Sequence, residues 1–216
     1  MSNEELTKNV TDELFWDPKV ENSSIAVASD DGTVTLRGTV GSFREKREAK
    51  KAAERVYGVT EVKNELNVRI MTEDARSDAD VRGDVLQALM LDTLVPSTID
   101  AKVNEGEVAL SGEAEWQFQR DEAMQVASNI RGVVDVWDEI AIVGPPPEAG
   151  DVRDAITRAF DRSAKLDADA LTVETSNGTI TVKGTVQSWA EHDEAINAAW
   201  AAPGVRDVRD RIVVFY

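Results

Sequence analysis

"GTVTLRGTV", residues 32 to 40, decides how the chain is divided. Its alternation sets Val34 and Leu36 on one side and Thr33, Thr35 and Arg37 on the other, the period of a half-buried β-strand. The pattern returns as "GEVALSGEA" at 106–114 and as "GTITVKGTV" at 178–186. Glycines frame each copy at matching spacings: Gly32, Gly38 and Gly58, then Gly106, Gly112 and Gly132, then Gly178, Gly184 and Gly204. A period of about 70 residues is too long for a solenoid repeat and suits a small domain. The expected modules are residues 1–70, 71–147 and 148–216.

Upstream of the quoted strand, Ile25 and Val27, Ile99, Ala101 and Val103, and Leu171 and Val173 mark a partner strand in each copy. Asp31-Gly32, Glu105-Gly106 and Asn177-Gly178 join the two strands, and a glycine there admits the positive φ of a tight hairpin. Downstream, Ala49, Ala52, Ala53 and Val56 fall at helical spacing, matched by Ala123, Val126, Ala127 and Ile130 and by Ala195, Ala198, Ala199 and Ala202. Ser42 with Glu45 and Ser188 with Glu191 read as capping boxes, which copy two replaces with Trp116 and Gln119. A β-branched run closes each copy: Val59, Val62, Leu66 and Val68, then Val133, Val136, Ile140 and Ile142, then Val205, Val208, Ile212 and Val214. A leading helix is marked by Leu6, Val10 and Leu14, by Val81, Val85 and Leu89, and by Val152, Ile156 and Phe160. The order is α-β-β-α-β. The fold class expected is α+β, three tandem modules, each a three-stranded mixed sheet with two helices on one face. The joins differ, since "MTEDARSDAD" (71–80) is acidic and "GPPPEAG" (144–150) is a stiff polyproline spacer.

Composition narrows function. The chain has 216 residues, no cysteine and a net charge of -17, so thiolate metal sites and disulfides are excluded. The excess is uneven: 11 Lys/Arg face 13 Asp/Glu in module 1, 5 face 16 in module 2, and 8 face 12 in module 3. A field of that sign repels phosphate backbones, which argues against nucleic-acid binding driven by counterion release. No basic leader precedes an apolar run at the start, and no stretch reaches the roughly 20 apolar residues of a membrane span. A cytoplasmic location is expected on that ground, or a periplasmic one if a signal has been removed.

The arrangement G-x-V-x-L-x-G-x-V, a helix, then G-V-x-x-V-x-N/D-x-L/I-x-V is similar to the BON domain, named for bacterial osmotically induced and nodulation proteins. Gly58-Val59 through Val62, Asn64, Leu66 and Val68 carry the second half, and all three copies repeat it. The resemblance covers nearly the whole chain. It implies the α-β-β-α-β fold, binding to phospholipid or envelope surfaces, and a place in osmotic or envelope stress. It marks no catalytic residue.

No catalytic, metal or cofactor site is expected from the residues. His192 aligns with Lys46 and Arg120 and reads as an exposed basic position, and no nucleophile motif, phosphate loop or H-E-x-x-H is present. Asp78, Asp80 and Asp84 look superficially like a calcium loop, but Arg82 and Leu89 occupy ligand positions. The candidate lipid or partner contacts are Phe43, Arg44, Arg47, Lys50 and Lys51 with Trp116, Trp137 and Trp189. "FREKREAKKAAERVYG" (43–58) carries six Lys/Arg against three Glu, the one basic face of an acidic chain. Such a face suits an anionic phospholipid surface, a solvated helix laced by Arg44–Glu48 and Lys50–Glu54, or docking of module 1 on acidic module 2 within or between chains. An aromatic recurs at the strand–helix junction as Phe43, Trp116 and Trp189, and Trp137 stands on the last strand's polar face where module 1 has Lys63. The expected function is a non-enzymatic binding protein for phospholipid or an envelope-associated partner. The opposing reading is a cytoplasmic protein that responds to a cation such as potassium or calcium, or acts as a scaffold.

Overall fold

A computed structural model describes residues 1–70, 76–143, 149–163, 166–176, 178–202 and 205–215. In the first copy, helix α1 (Asn3–Trp16) starts where the Ser2 hydroxyl accepts the Glu5 backbone N–H at 3.2 Å. It buries Leu6, Val10 and Leu14, the stripe set by their helical spacing. Strands β1 (Ile25–Asp30) and β2 (Thr33–Val40) form an antiparallel hairpin, with Ile25 opposite Gly38 and Asp30 opposite Thr33. Its turn residues Asp31 and Gly32 both take positive φ, 45° and 81°, which matches the right-handed twist of the flanking strands. Helix α2 (Phe43–Glu54) then crosses to β3 (Glu61–Val68), which lies parallel to β2. Val34, Leu36, Val40, Ala49, Ala52, Ala53, Val59 and Leu66 close one core under the two helices.

The second copy repeats the plan with α3 (Asp78–Leu91), β4 (Asp100–Asn104), β5 (Glu107–Ala114), α4 (Gln117–Ser128) and β6 (Asp135–Ile142). The third has α5 (Ala149–Arg162), β7 (Leu171–Ser176), β8 (Thr179–Val186), α6 (Trp189–Trp200) and β9 (Asp207–Val214). Each sheet has its hairpin's second strand in the middle, in the orders β1-β2-β3, β4-β5-β6 and β7-β8-β9. The chain is three tandem α-β-β-α-β modules with three-stranded sheets, as the sequence predicts. By its contacts it divides into two compact units, Met1–Gly112 with Asp121–Ile140, and Glu113–Arg120 with Ala141–Tyr216.

The middle glycine of each set has a specific cause. Gly38, Gly112 and Gly184 take φ of 131°, 130° and 143°, and a β-carbon there would overlap the carbonyl oxygen of Ser24, Thr98 or Ala170. The backbone entering the first strand passes directly over the second, so only hydrogen fits. Capping also follows the sequence, with one addition. Ser42 and Ser188 accept from Glu45 and Glu191 N–H, while Glu45 and Glu191 reach back to the N–H of Gly41 and Gln187 at 2.9 and 2.8 Å. In copy two the serine is lost, yet Gln119 Oε1 still accepts from Glu115 and Trp116 N–H at 3.0 and 3.1 Å. The reciprocal half of the box therefore survives. Residues 71–75 and 144–148, which include the polyproline join, lie outside the described residues, as do Asn177 and Gly204.

Candidate functional site

The N/D position of the closing strand ties that strand to the second helix. Asn64 Oδ1 accepts the Leu66 N–H at 3.3 Å, and its Nδ2 donates to the Lys46 carbonyl at 2.7 Å. Asp138 and Asp210 make the same local bond, accepting from Ile140 and Ile212 N–H at 3.0 and 2.9 Å. An aspartate has no proton to give a carbonyl, so in module 3 the second oxygen takes a different partner. Asp210 Oδ2 lies 2.7 Å from His192 Nε2, and Asp193 Oδ1 lies 3.2 Å from His192 Nδ1. The Trp189 ring meets the imidazole edge-on, with centroids 4.8 Å apart.

His192 is therefore not the exposed base expected from sequence, because its side chain is only 12% exposed. Burial opposes its charge, but the hydrogen bonds to Asp193 and Asp210 outweigh burial and raise its pKa above the ordinary imidazole value. With a carboxylate at each nitrogen, the doubly protonated ring satisfies both.

The acidic cluster at the start of α3 is occupied by structural work. Asp78 accepts from the Glu105 and Gly106 N–H groups at 2.8 and 2.9 Å, clasping the hairpin turn of module 2. Asp80 bonds the Ser77 hydroxyl at 2.7 Å, and Asp84 pairs with Arg76. These carboxylates face different partners. In module 1, Asn3 holds the equivalent turn, accepting from Asp31 N–H at 3.2 Å. Among the described residues, no group of three or more metal-ligating side chains converges.

The basic face of α2 is divided. Arg44, Lys50 and Lys51 are exposed, with Lys50 3.3 Å from Glu54 and Lys51 4.0 Å from Glu48. Arg47 turns onto α4, donating to Ser128 Oγ and, at 3.4 Å, to Gln125 Oε1. Its burial there lowers its pKa, with Glu48 the opposing charge. At the edge of α1, Arg55 bridges Glu13 and Asp17 at 2.9 and 2.8 Å. The Arg55 hydrogen bond holds the Asp17 carboxyl below its usual range.

Phe43, Trp116 and Trp189 are all half-buried at the strand–helix junction, and Trp189 packs against the module 3 core. Trp137 is 55% exposed on the sheet face opposite the helices. The most exposed apolar side chains lie elsewhere. Phe15 and Trp16 end α1 at 76% and 82% exposure, and Met90 and Leu91 end α3 at 78% and 71%. These pairs are equivalent, each following the last core residue of its helix, Leu14 or Leu89. Module 3 has Asp161 and Arg162 there. The sequence signal was available, since two large apolar residues beyond the buried stripe have nowhere to go but outward.

A family model for the BON domain matches residues 2–70, 77–144 and 149–214. Osmotically-inducible protein Y of Escherichia coli strain K12 is 31% identical over 145 residues, spanning 65% of this chain and 72% of that protein. Among solved structures, CdsD, a structural protein of the type III secretion system of Chlamydia trachomatis, aligns over 98% of this chain and 92% of its own. Its identity is 15% and its TM-score 0.28. The PrgH periplasmic domain aligns over 95% and 99% at 8% identity and a TM-score of 0.24. The chain belongs to the BON domain family, in three tandem copies.

Proposed function

From that membership we propose that the chain is a non-enzymatic stress protein that binds anionic phospholipid surfaces. The carrying observation is the recurrent apolar end of the leading helix, Phe15 with Trp16 and Met90 with Leu91. Aromatic and long aliphatic side chains held out on a helix end suit the boundary between headgroups and acyl chains. Arg44, Lys50 and Lys51 supply the local positive charge. At physiological salt the acidic excess of module 2 is screened beyond about 8 Å, so a local basic face can meet an anionic surface. The similarity to an osmotically inducible protein supports the stress setting. Among the described residues, no helix is long and apolar enough to cross a membrane.

Cosedimentation with vesicles of phosphatidylglycerol and phosphatidylcholine tests this. The parent should bind the mixed vesicles at low salt, and Phe15→Glu with Trp16→Glu should reduce binding about tenfold or more. Reversing Arg44, Lys50 and Lys51 to Glu should remove the dependence on phosphatidylglycerol. Absence of parental binding at low salt, or binding indifferent to both changes, overturns the lipid reading. A saturable response to potassium or calcium in the same preparation would then favour the cation-responsive alternative.

A further inference from the structure

The second helix of each module carries a contact that neither lipid binding nor the internal fold requires. In the first unit, Arg47, in the second turn of α2, reaches Gln125 and Ser128 at the end of α4. Ser128 is only 3% exposed, and its hydroxyl also donates to the Gln125 carbonyl at 2.8 Å, which fixes the receiving group. In the second unit, the Arg120 guanidinium, from the first turn of α4, lies over the Trp200 ring at 5.4 Å from its centroid. Trp200 is the last residue of α6, as Ser128 is the last of α4. The two contacts are thus made in the same sense: an arginine near the start of one second helix is received at the final residue of the next module's second helix. Two different chemistries, a hydrogen-bonded fork and a cation on an aromatic face, fill the same relation.

We infer that the second helix is a head-to-tail joint between successive modules, and that the residues at its giving and receiving positions fix the order of the three copies. The giving positions are Arg47 in module 1 and Arg120 in module 2. In module 3 the Arg120 position is His192, which bonds Asp193 and Asp210, and the Arg47 position is Asp193. The receiving positions are Ser128 and Trp200. In module 1 the corresponding residue is Glu54, paired with Lys50 at 3.3 Å. Module 3 has no arginine to give, and adding module 1 of a second copy after it would bring Asp193 toward Glu54, two like charges. A repeat array needs terminal modules that refuse further partners, and these residues supply that refusal. The joint also removes Arg47 from any lipid contact, leaving Arg44, Lys50 and Lys51 for that role.

The full chain carries the test. Amide hydrogen exchange in the last turn of α4 should speed up by about tenfold or more in Arg47→Glu, because a hydrogen-bonded charged partner is lost, while β2 exchanges as before. Gln125→Arg added to Arg47→Glu should restore protection by reversing the pair, a rescue that a general packing defect would not show. Should Arg47→Glu fail to fold, Arg47→Met, which keeps the apolar stem, reads the same quantity. Unchanged α4 exchange in these variants, or failure of the charge swap to restore it, overturns the joint. The ordering claim is read by sedimentation. The parent should remain a single chain, and Asp193→Arg with Glu54→Ser should associate as concentration rises; a variant that stays a single chain removes that claim.

Discussion

Modules 1 and 3 attach their second helix to their last strand at the same place with different chemistry. Asn64 donates an amide proton to the main chain at Lys46, whereas Asp210 accepts from the side chain of His192. Both keep the local bond to the N–H two residues on. In both modules one oxygen at this position shapes the strand, and the second polar atom holds the helix. Asparagine can hold a carbonyl at any pH. Aspartate needs a donor, and module 3 supplies an imidazole whose pKa is raised by its carboxylate partners.

The largest effects should come from the glycines that the modules share. Gly38→Ala and Gly184→Ala each place a β-carbon on a backbone carbonyl at a φ that disfavours side chains. Each should destabilise its own module by about 3 kcal/mol or more, equally in the two, as read by hydrogen exchange of the surrounding strands in urea. If one module tolerates alanine, the frameworks are not equivalent and their tethers should not be compared. A smaller effect is expected at the tether. Asn64→Ala leaves the Lys46 carbonyl and Leu66 N–H without their side-chain partner and should cost about 1 kcal/mol at every pH. Asp210→Ala should cost about 2 kcal/mol at pH 6, where it strips a charged hydrogen bond, and less at pH 8.5.

The repeat, the element order and the stripes of buried residues were legible because glycine, hairpin turns and helical spacing are local signals. Val34, Leu36 and Leu66 are buried as their alternation requires. What was not legible depended on distance in sequence. His192 looked like one more surface base because the helix pattern says nothing of Asp210, 18 residues on, or of the Trp189 ring. Arg47 read as one cation among six, and only the approach of α4 sets it apart from Arg44 or Lys50. Phe15 and Met90 fall outside the buried stripes of their helices, and it is their exposure in the fold that sets them apart.

The smallest expected effect is the most discriminating. His192 has a raised pKa in the folded chain, so its contribution to stability is fully present below the ordinary imidazole pKa of about 6.5 and is lost as pH rises through the higher folded-state value. Module 3 should therefore weaken across that window, by hydrogen exchange of α6, while module 1 gains no such slope from its tether. Replacing both partners, His192→Lys with Asp210→Asn, copies the Lys46 and Asn64 arrangement into module 3. The amide at 210 can then donate to the main-chain carbonyl at 192, so the net change at pH 6 should stay within about 0.5 kcal/mol and the slope through neutrality should vanish. The single change His192→Lys keeps Asp210 and serves as the control, since an ammonium there still meets a carboxylate but does not titrate in that range. A slope that persists in both variants would assign the pH response to other groups and leave the two tethers functionally alike.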